Sequence, residues 1–339
     1  MLFLIKVISN NQIDDIGNLL KREENLSESK LKLLLEWRNS FSPILEYYYK
    51  KLHTDIDRAD VIVLARRLKR IDSIQKKLKR FKTMRLSTIQ DIAGVRAVFK
   101  NEIALMSAYS KLRGQSTKNK MRRFDDYHSR PKLDGYRGMH FVYQNVDSMM
   151  IEVQLRTELE HIWATAVEIY GELQETSFKT GEGDQGWKNF FLLLSSYFAI
   201  KENSTPCKEH EKYSEKQISS KLKKAIKQLR VIEKLNASTN GIQVVVSTYN
   251  ESGKTGKYAI VELDLKNQMT TVEIFNKKDV KKAIEIYTKK ELSLKKEEKK
   301  NIVFVNIESL EKIQQSYPNY FLDTQRLLEI LSKIVLNEY

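Results

Sequence analysis

The run Met150-Ile151-Glu152-Val153-Gln154-Leu155 constrains the fold of this chain more than any other feature. Alternate residues of a strand face opposite sides, so Ile151, Val153 and Leu155 share one face while Glu152 and Gln154 share the other. A strand divided in this way belongs to a sheet with a core on one side and polar business on the other. Val95–Phe99 and His140-Phe141-Val142-Tyr143 are its candidate neighbours. Ile13, Ile16, Leu19 and Leu20 are spaced for one helix face, as are Leu33, Leu34, Trp37 and Phe41, so residues 11–54 read as helices. Asp57 to Phe81 reads as one further long helix, and Glu158 to Leu173 as another. The fold class expected is α+β, with a mixed β-sheet flanked by helices.

A chain of 339 residues exceeds one typical domain, and two are expected, 1–205 and 206–339. The polar stretch Lys201–Lys216, broken by Pro206, reads as the linker. Beyond it come a basic helix, Ile218–Leu235, and three strands, Gly241–Tyr249, Lys257–Leu265 and Thr270–Phe275. A helix near Lys278–Tyr287 follows. The charged run Glu291–Lys300 reads as a solvated loop or helix end. A short strand, Asn301–Ile307, and a final helix, Asp323–Leu336, complete a smaller α+β unit.

Net charge is +15, and it is concentrated. Lys51 to Arg137 holds 23 Lys and Arg against 9 Asp and Glu. Such a segment points to an anionic partner. The single cysteine, Cys207, excludes an intrachain disulfide and any zinc site built on two thiolates. The apolar stretch Phe190–Ile200 is about half the ~20 residues that cross a bilayer, so it reads as a buried helix. A cytoplasmic protein without membrane or DNA as partner is expected.

Three clusters carry candidate chemistry. On a helix, Arg66 and Arg70 would lie together, as would Ser73 and Lys77, with Lys69 one turn before Ser73. Guanidinium forks hold phosphate and stack on purines, and lysines neutralise a triphosphate. The same pattern fits an exposed basic helix face. Asp91, just before a strand carrying Arg96, and Glu152 could share Mg²⁺, which takes few carboxylates plus phosphate oxygens, and one could accept a hydroxyl proton. Equally, they could be separate acids paired with Arg96 or Arg156. The loop Asp126–His140 sets Tyr136 and Arg137 between Gly135 and Gly138, where a ring could stack on a base. It also reads as a hairpin connection with incidental aromatics.

The ordered set Arg67-x-Lys69-x3-Ser73-x3-Lys77, Asp91-Ile92-Ala93-Gly94-Val95-Arg96, Arg130-Pro131-Lys132-x2-Gly135-Tyr136-Arg137-x2-His140 and Glu152-Val153-Gln154-Leu155-Arg156-Thr157 resembles the synthetase motifs of RelA/SpoT-type pyrophosphokinases. The resemblance covers about residues 45–200. It implies a nucleotidyltransferase-like fold that transfers the β,γ-pyrophosphate of ATP to a ribose hydroxyl. By that resemblance Arg67 packs on adenine, and Lys69, Ser73 and Lys77 bind ATP phosphates. Arg66, Arg70 and Arg96 are further residues expected in the ATP site. Asp91 and Glu152 bind Mg²⁺, and Glu152 is the base. Tyr136 stacks on the acceptor base, with Lys132, Arg137, His140, Gln154 and Arg156 around it. No His-Asp dipeptide occurs in the chain, so the family's metal-dependent hydrolase is not expected. Asp134 and Gly138 stand where asparagine and serine are common in alarmone synthetases, which turns the expected acceptor away from free GDP or GTP.

The tail motif Tyr317-Pro318-Asn319-Tyr320 before the last helix is similar to that of the CapRel group of fused toxin–antitoxins. That similarity implies a C-terminal pseudo-zinc-finger-like domain that restrains the enzyme through Tyr317 and Tyr320. It also implies the 3′ CCA end of tRNA as acceptor and a phage major capsid protein as trigger. The cationic run Lys118, Lys120, Arg122 and Arg123 would suit an acceptor stem. Without the similarity, Tyr317 and Tyr320 read as packing beneath a helix capped by Asp323.

Overall fold

The computed structural model describes residues 8–114, 119–173, 183–239, 243–248, 258–294, 300–306 and 324–338. Three helices open it: α1 (Asn10–Lys21), α2 (Glu28–Asn39) and α3 (Ser42–Asp55). Ser9 and Gln12 form a capping box at the start of α1. The apolar stripes of these helices, with Ile13, Ile16, Leu34 and Tyr48 fully buried, cover one face of a five-stranded sheet.

That sheet has the order β1-β2-β5-β4-β3. Its strands are β1 (Val61–Leu68), β2 (Ala93–Phe99), β3 (Lys120–Asp126), β4 (Met139–Gln144) and β5 (Met150–Thr157). β2 and β5 run parallel and the other pairs antiparallel, so the sheet is mixed as expected. Val95, Ala97, Phe99, Phe141, Tyr143, Ile151, Val153 and Leu155 face the N-terminal helices. On the opposite face, the register sets Arg67, Gly94, Glu152 and Val142 in one row and Ala65, Arg96, Gln154 and His140 in the next.

The expected long helix over 57–81 is not formed. The segment builds β1, then turns into α4 (Ile71–Arg80). The β-branched start Val61-Ile62-Val63 favours the extended form, and β2 offers it an antiparallel partner along nearly its whole length. The regular cationic spacing is therefore divided between a strand, a connection and a helix. α5 (Glu102–Gly114) links β2 to β3.

A second sheet, order β6-β8-β7-β9, is built from β6 (Gln243–Thr248), β7 (Tyr258–Asp264), β8 (Met269–Phe275) and β9 (Lys300–Asn306). α10 (Val280–Ser293) covers one of its faces through Ala283 and Tyr287, which pack with Ile260 and Phe275. The other face, with Ala259, Val261, Val303 and Val305, packs on Val63, Ala65 and Val98 of the first sheet. Glu291, assigned to a solvated run by its charged neighbours, lies on α10 with its side chain only 4 % exposed.

A third core joins α6 (Glu158–Leu173), α7 (Gln185–Lys201), α8 (Glu215–Leu229), α9 (Val231–Thr239) and the last helix, α11 (Gln325–Leu336), around Trp163, Phe190, Leu194, Leu222 and Leu331. This core continues across residues 205 and 206. The connection expected as a linker is tied down: Arg137 donates to the Thr205 carbonyl and the Cys207 amide donates to Ser196. The basic helix over 218–235 is two helices, parted at Arg230, which adopts a left-handed φ of 51°. Phe190–Ile200 lies within α7, and among the described residues no helix is long and apolar enough to cross a membrane.

Candidate active site

An open cleft of about 540 Å³, counting the solvent at its mouth, lies on the polar face of the first sheet. Residues 65–67, Lys69, Asp91, Gly94–Arg96, Glu152 and Gln154 line it. Its floor is the row Arg67–Gly94–Glu152. Gly94 puts no side chain between Arg67 and Glu152, and a Cβ there would meet nothing closer than 3.9 Å.

Cations and acids meet at one end. Lys69, in the connection after β1, and Lys77, on α4, each place Nζ 2.9 Å from a different oxygen of Asp91. Burial works against the Asp91 charge, but Lys69 and Lys77 outweigh it and hold the carboxyl below its ordinary value. Burial in turn lowers Lys69, with Asp91 offsetting part of the effect. Burial also opposes charge on Glu152, yet hydrogen bonds from His140 and Gln154 bring it down to about 2. Both acids are ionised at neutral pH. Ser73 lies on α4 one turn before Lys77, half-buried like it.

The two carboxylates suit Mg²⁺, which takes one or two protein carboxylates and fills its shell with phosphate oxygens and water. Among the described residues no group of three or more His, Cys, Asp or Glu is placed to hold a metal. Asp91 and Glu152 would be the holders.

Beyond Glu152 and Gln154 lies an aromatic and imidazole cluster. His140 Nδ1 lies 2.9 Å from Glu152 Oε1, and Gln154 donates to Glu152 Oε2 at 2.6 Å. Tyr136 is buried, its hydroxyl held by His140 and by Arg156 at 2.8 Å, and its ring packs edge-on to Trp163. The Lys132 ammonium sits 4.3 Å from the ring centroid of Tyr127 and 4.9 Å from that of Tyr136. The loop holding these groups depends on two glycines. Gly135 has φ +88°, and a Cβ there would press on Ser195 at 3.1 Å; Gly138 has φ +139°, and a Cβ there would meet Arg156 at 3.2 Å.

Several expected site residues point elsewhere. The Arg66 guanidinium lies 3.0 Å from Glu46 and 3.8 Å from the centroid of Tyr49, both on α3, so it serves the helix-covered side. Arg70 donates to Asn301 on β9 rather than facing phosphate. Arg137 is buried and donates to the carbonyls of His128 and Thr205 and to Ser195 Oγ, which locks the loop onto α7. Arg67 is exposed over the cleft, and Arg96 is half-buried in its wall. Lys120, Arg122 and Arg123 lie exposed on the edge strand β3, where Arg122 donates to Gln144 and Arg123 pairs with Asp125. Lys118, Tyr317 and Tyr320 lie outside the described residues.

Two groups escaped the sequence reading. Tyr127 is half-exposed beside Lys132, with its ring 5.4 Å from His140; its signal was present, because it stands in the same aromatic loop. The pair Arg38–Glu291, at 2.9 Å, is joined across 253 positions and has no local signal.

A family model described as "Region found in RelA / SpoT proteins" matches residues 66–173, about a third of the chain. A curated relative, the "Probable GTP diphosphokinase RSH3, chloroplastic" of Oryza sativa subsp. japonica, is 35% identical over 118 residues, which are 35% of this chain and 16% of that protein. This chain thus spans only a small part of that relative's length. Among solved structures, the small alarmone synthetase 1 of Bacillus subtilis bound to its product pppGpp matches at a TM-score of 0.43 and 20% identity, over 50% of this chain and 93% of that one. A GTP pyrophosphokinase family protein of Streptococcus pneumoniae matches at 0.41 and 18%, over 52% and 91%. The cleft residues from Arg67 to Gln154 therefore lie within a region of the kind found in RelA / SpoT proteins.

Proposed function

We propose that this protein is a pyrophosphokinase of the RelA/SpoT synthetase type, moving the β,γ-pyrophosphate of ATP to a ribose hydroxyl. The observation that carries this reading is the convergence of Lys69 and Lys77 on Asp91, with Glu152 in the same cleft. Arg67 offers a guanidinium face to the adenine. Lys69 and Lys77 move from Asp91 oxygens to phosphate oxygens, and Ser73 adds a hydroxyl donor. Asp91 and Glu152 would hold Mg²⁺, which would neutralise phosphate charge. The acceptor oxygen bonds to Pβ, the bond from Pβ to the α,β-bridging oxygen breaks, and AMP leaves with that electron pair. Glu152 takes the hydroxyl proton. Its low pKa suits a late transfer, because the loose transition state of phosphoryl transfer leaves little charge on the nucleophile until the bond forms.

For the acceptor, the reading adopted is the 3′ CCA end of tRNA. The cationic edge strand β3 supports it, since Arg123 stands in register with Val142 and Glu152 and extends the reactive row outward. A second reading, synthesis of (p)ppGpp from GDP or GTP, is favoured by the activity for which the rice relative is named. Supply of γ-labelled ATP with tRNA, GDP or GTP separates them: label on tRNA that Glu152→Gln abolishes supports the first, and label on guanosine nucleotides alone supports the second.

The C-terminal unit is proposed as a pseudo-zinc-finger-like restraint released by a phage major capsid protein. The Tyr317-Pro318-Asn319-Tyr320 motif before the last helix supports this reading. Growth arrest by Tyr320→Ala without phage, from a stably expressed variant, is the expected outcome; normal growth would remove Tyr320 from the restraint.

A further inference from the structure

The helix that carries Ser73 and Lys77 does not cap itself. Its N-cap residue, Arg70, is extended and makes no side-chain hydrogen bond to the first turn. Arginine is a poor cap, and the first amides of a helix need an acceptor. The acceptor comes from the far end of the chain. Glu291 on α10 places Oε1 2.8 Å from the Ile71 amide, the first of α4. The same carboxylate accepts from Arg38 Nη1 at 2.9 and 3.1 Å, with both side chains 4 % exposed. The Arg38 guanidinium lies 5.6 Å from the ring centroid of Tyr287, one turn earlier on α10. Beside them, Arg70 donates to Asn301 on β9 at 2.8 Å. The connection holding Lys69 and the start of α4 is thus pinned between α2 and the C-terminal unit.

We propose that Glu291 is a positioning residue for the phosphate-binding lysines, so that the C-terminal unit completes the nucleotide site from behind. This rests on the pyrophosphokinase reading. A carboxylate at a helix N-terminus stabilises the first turn both as acceptor and as charge. Here it fixes where α4 begins, and that start sets the phase at which Lys77 meets Asp91. Lys69 is set by the same pin, because Ile71 is only two residues on. A unit that lifts away takes Glu291 and Asn301 with it, leaves Arg38 without its carboxylate, and frees α4 to fray at the end nearest the phosphates. The sheet and α10 therefore support the competent site, and any restraint on activity comes from elsewhere in the unit.

The test uses the full chain and a non-cleavable ATP analogue with a methylene between the α- and β-phosphates, with Mg²⁺. Glu291→Ala removes cap and charge, and Glu291→Gln keeps an acceptor for Ile71. Arg38→Met with Glu291→Met replaces the buried ion pair by apolar groups and recovers stability without restoring the cap. Calorimetric binding, thermal unfolding and exchange of the Ile71 amide are measured for each. The expected result is about a tenfold loss of analogue affinity and faster Ile71 exchange in Glu291→Ala and in the stable double variant, with a smaller loss in Glu291→Gln. A folded double variant that binds the analogue like wild type overturns the proposal. So does tighter binding, which would make Glu291 a competitor of phosphate. Failure of wild type itself to bind the analogue removes the pyrophosphokinase reading and this proposal together, whereas wild-type binding with unchanged variants removes this one alone.

Discussion

The Tyr136 hydroxyl lies 2.5 Å from His140 Nε2, and the other nitrogen of that ring lies 2.9 Å from Glu152 Oε1. Glu152 is ionised and can only accept, so His140 Nδ1 carries the proton and donates it. Nε2 faces the Tyr136 hydroxyl, whose oxygen accepts from Arg156. A buried phenol, its pKa pushed up by desolvation, thereby holds the imidazole that orients the proposed base.

Tyr136→Phe keeps the ring and removes the hydroxyl. If Tyr136 acts through His140, kcat falls by about 10- to 100-fold, in the range seen when a catalytic group loses its orientation, while the acceptor KM holds. If its ring stacks on the acceptor base, Phe preserves activity. Steady-state kinetics with varied acceptor decides between them.

Tyr127 is the ring left available in the same loop. Tyr127→Ala is expected to raise the acceptor KM by roughly 5- to 150-fold, matching the ~1–3 kcal/mol of a base–aromatic stack. Tyr127→Phe should behave like wild type. Equal KM values for wild type and Tyr127→Ala would exclude this ring from the acceptor site.

Stability should fall as pH rises from about 7 to about 9. Burial opposes charge on His128, but Glu160 and Glu102, on its two ring nitrogens, raise it to about 9. A raised folded-state value means the contribution is full below the unfolded value near 6.5 and is lost as pH climbs through 9. The size is of order 3 kcal/mol. Glu202, pushed up to about 7 by burial, acts in the same direction at lower pH, its contribution fading from about 4.5 to 7. Urea midpoints of wild type and His128→Gln should converge as pH increases across 7 to 9. A constant gap would refute the assignment.

Neutralising Lys120, Arg122 and Arg123 together with Lys118 should weaken tRNA binding and flatten its salt dependence. Each phosphate deprived of its cationic partner reduces the slope of log K against log salt by about 0.7–0.9. Gel-shift titrations over a salt series read this directly. An unchanged slope would mean that these exposed charges only guard the edge of the sheet.

The reading of individual elements succeeded where one window held the whole instruction. β5 was visible because Ile151, Val153 and Leu155 alternate with Glu152 and Gln154, and the structure puts them on core and cleft. α6 begins and ends where its pattern does. The segment from Asp57 to Phe81 misled because cationic residues recur at helical spacing across a strand and a turn. The pairing of β1 with β2 overrode that rhythm.

Sequence by itself determined which residue types are present to meet a phosphate, a metal and a ring, and which strands have a polar face to hold them, because alternation and spacing are local properties. Tertiary structure alone decided their directions. It turned Arg66 toward Glu46 and Arg137 toward Thr205, buried Tyr136 and left Tyr127 half-open. It also brought Glu291 to the amide of Ile71 across 220 positions. No local pattern encodes such a meeting: it follows from the packing of the second sheet on Val63, Ala65 and Val98, where buried apolar area rather than the polar pair selects the arrangement.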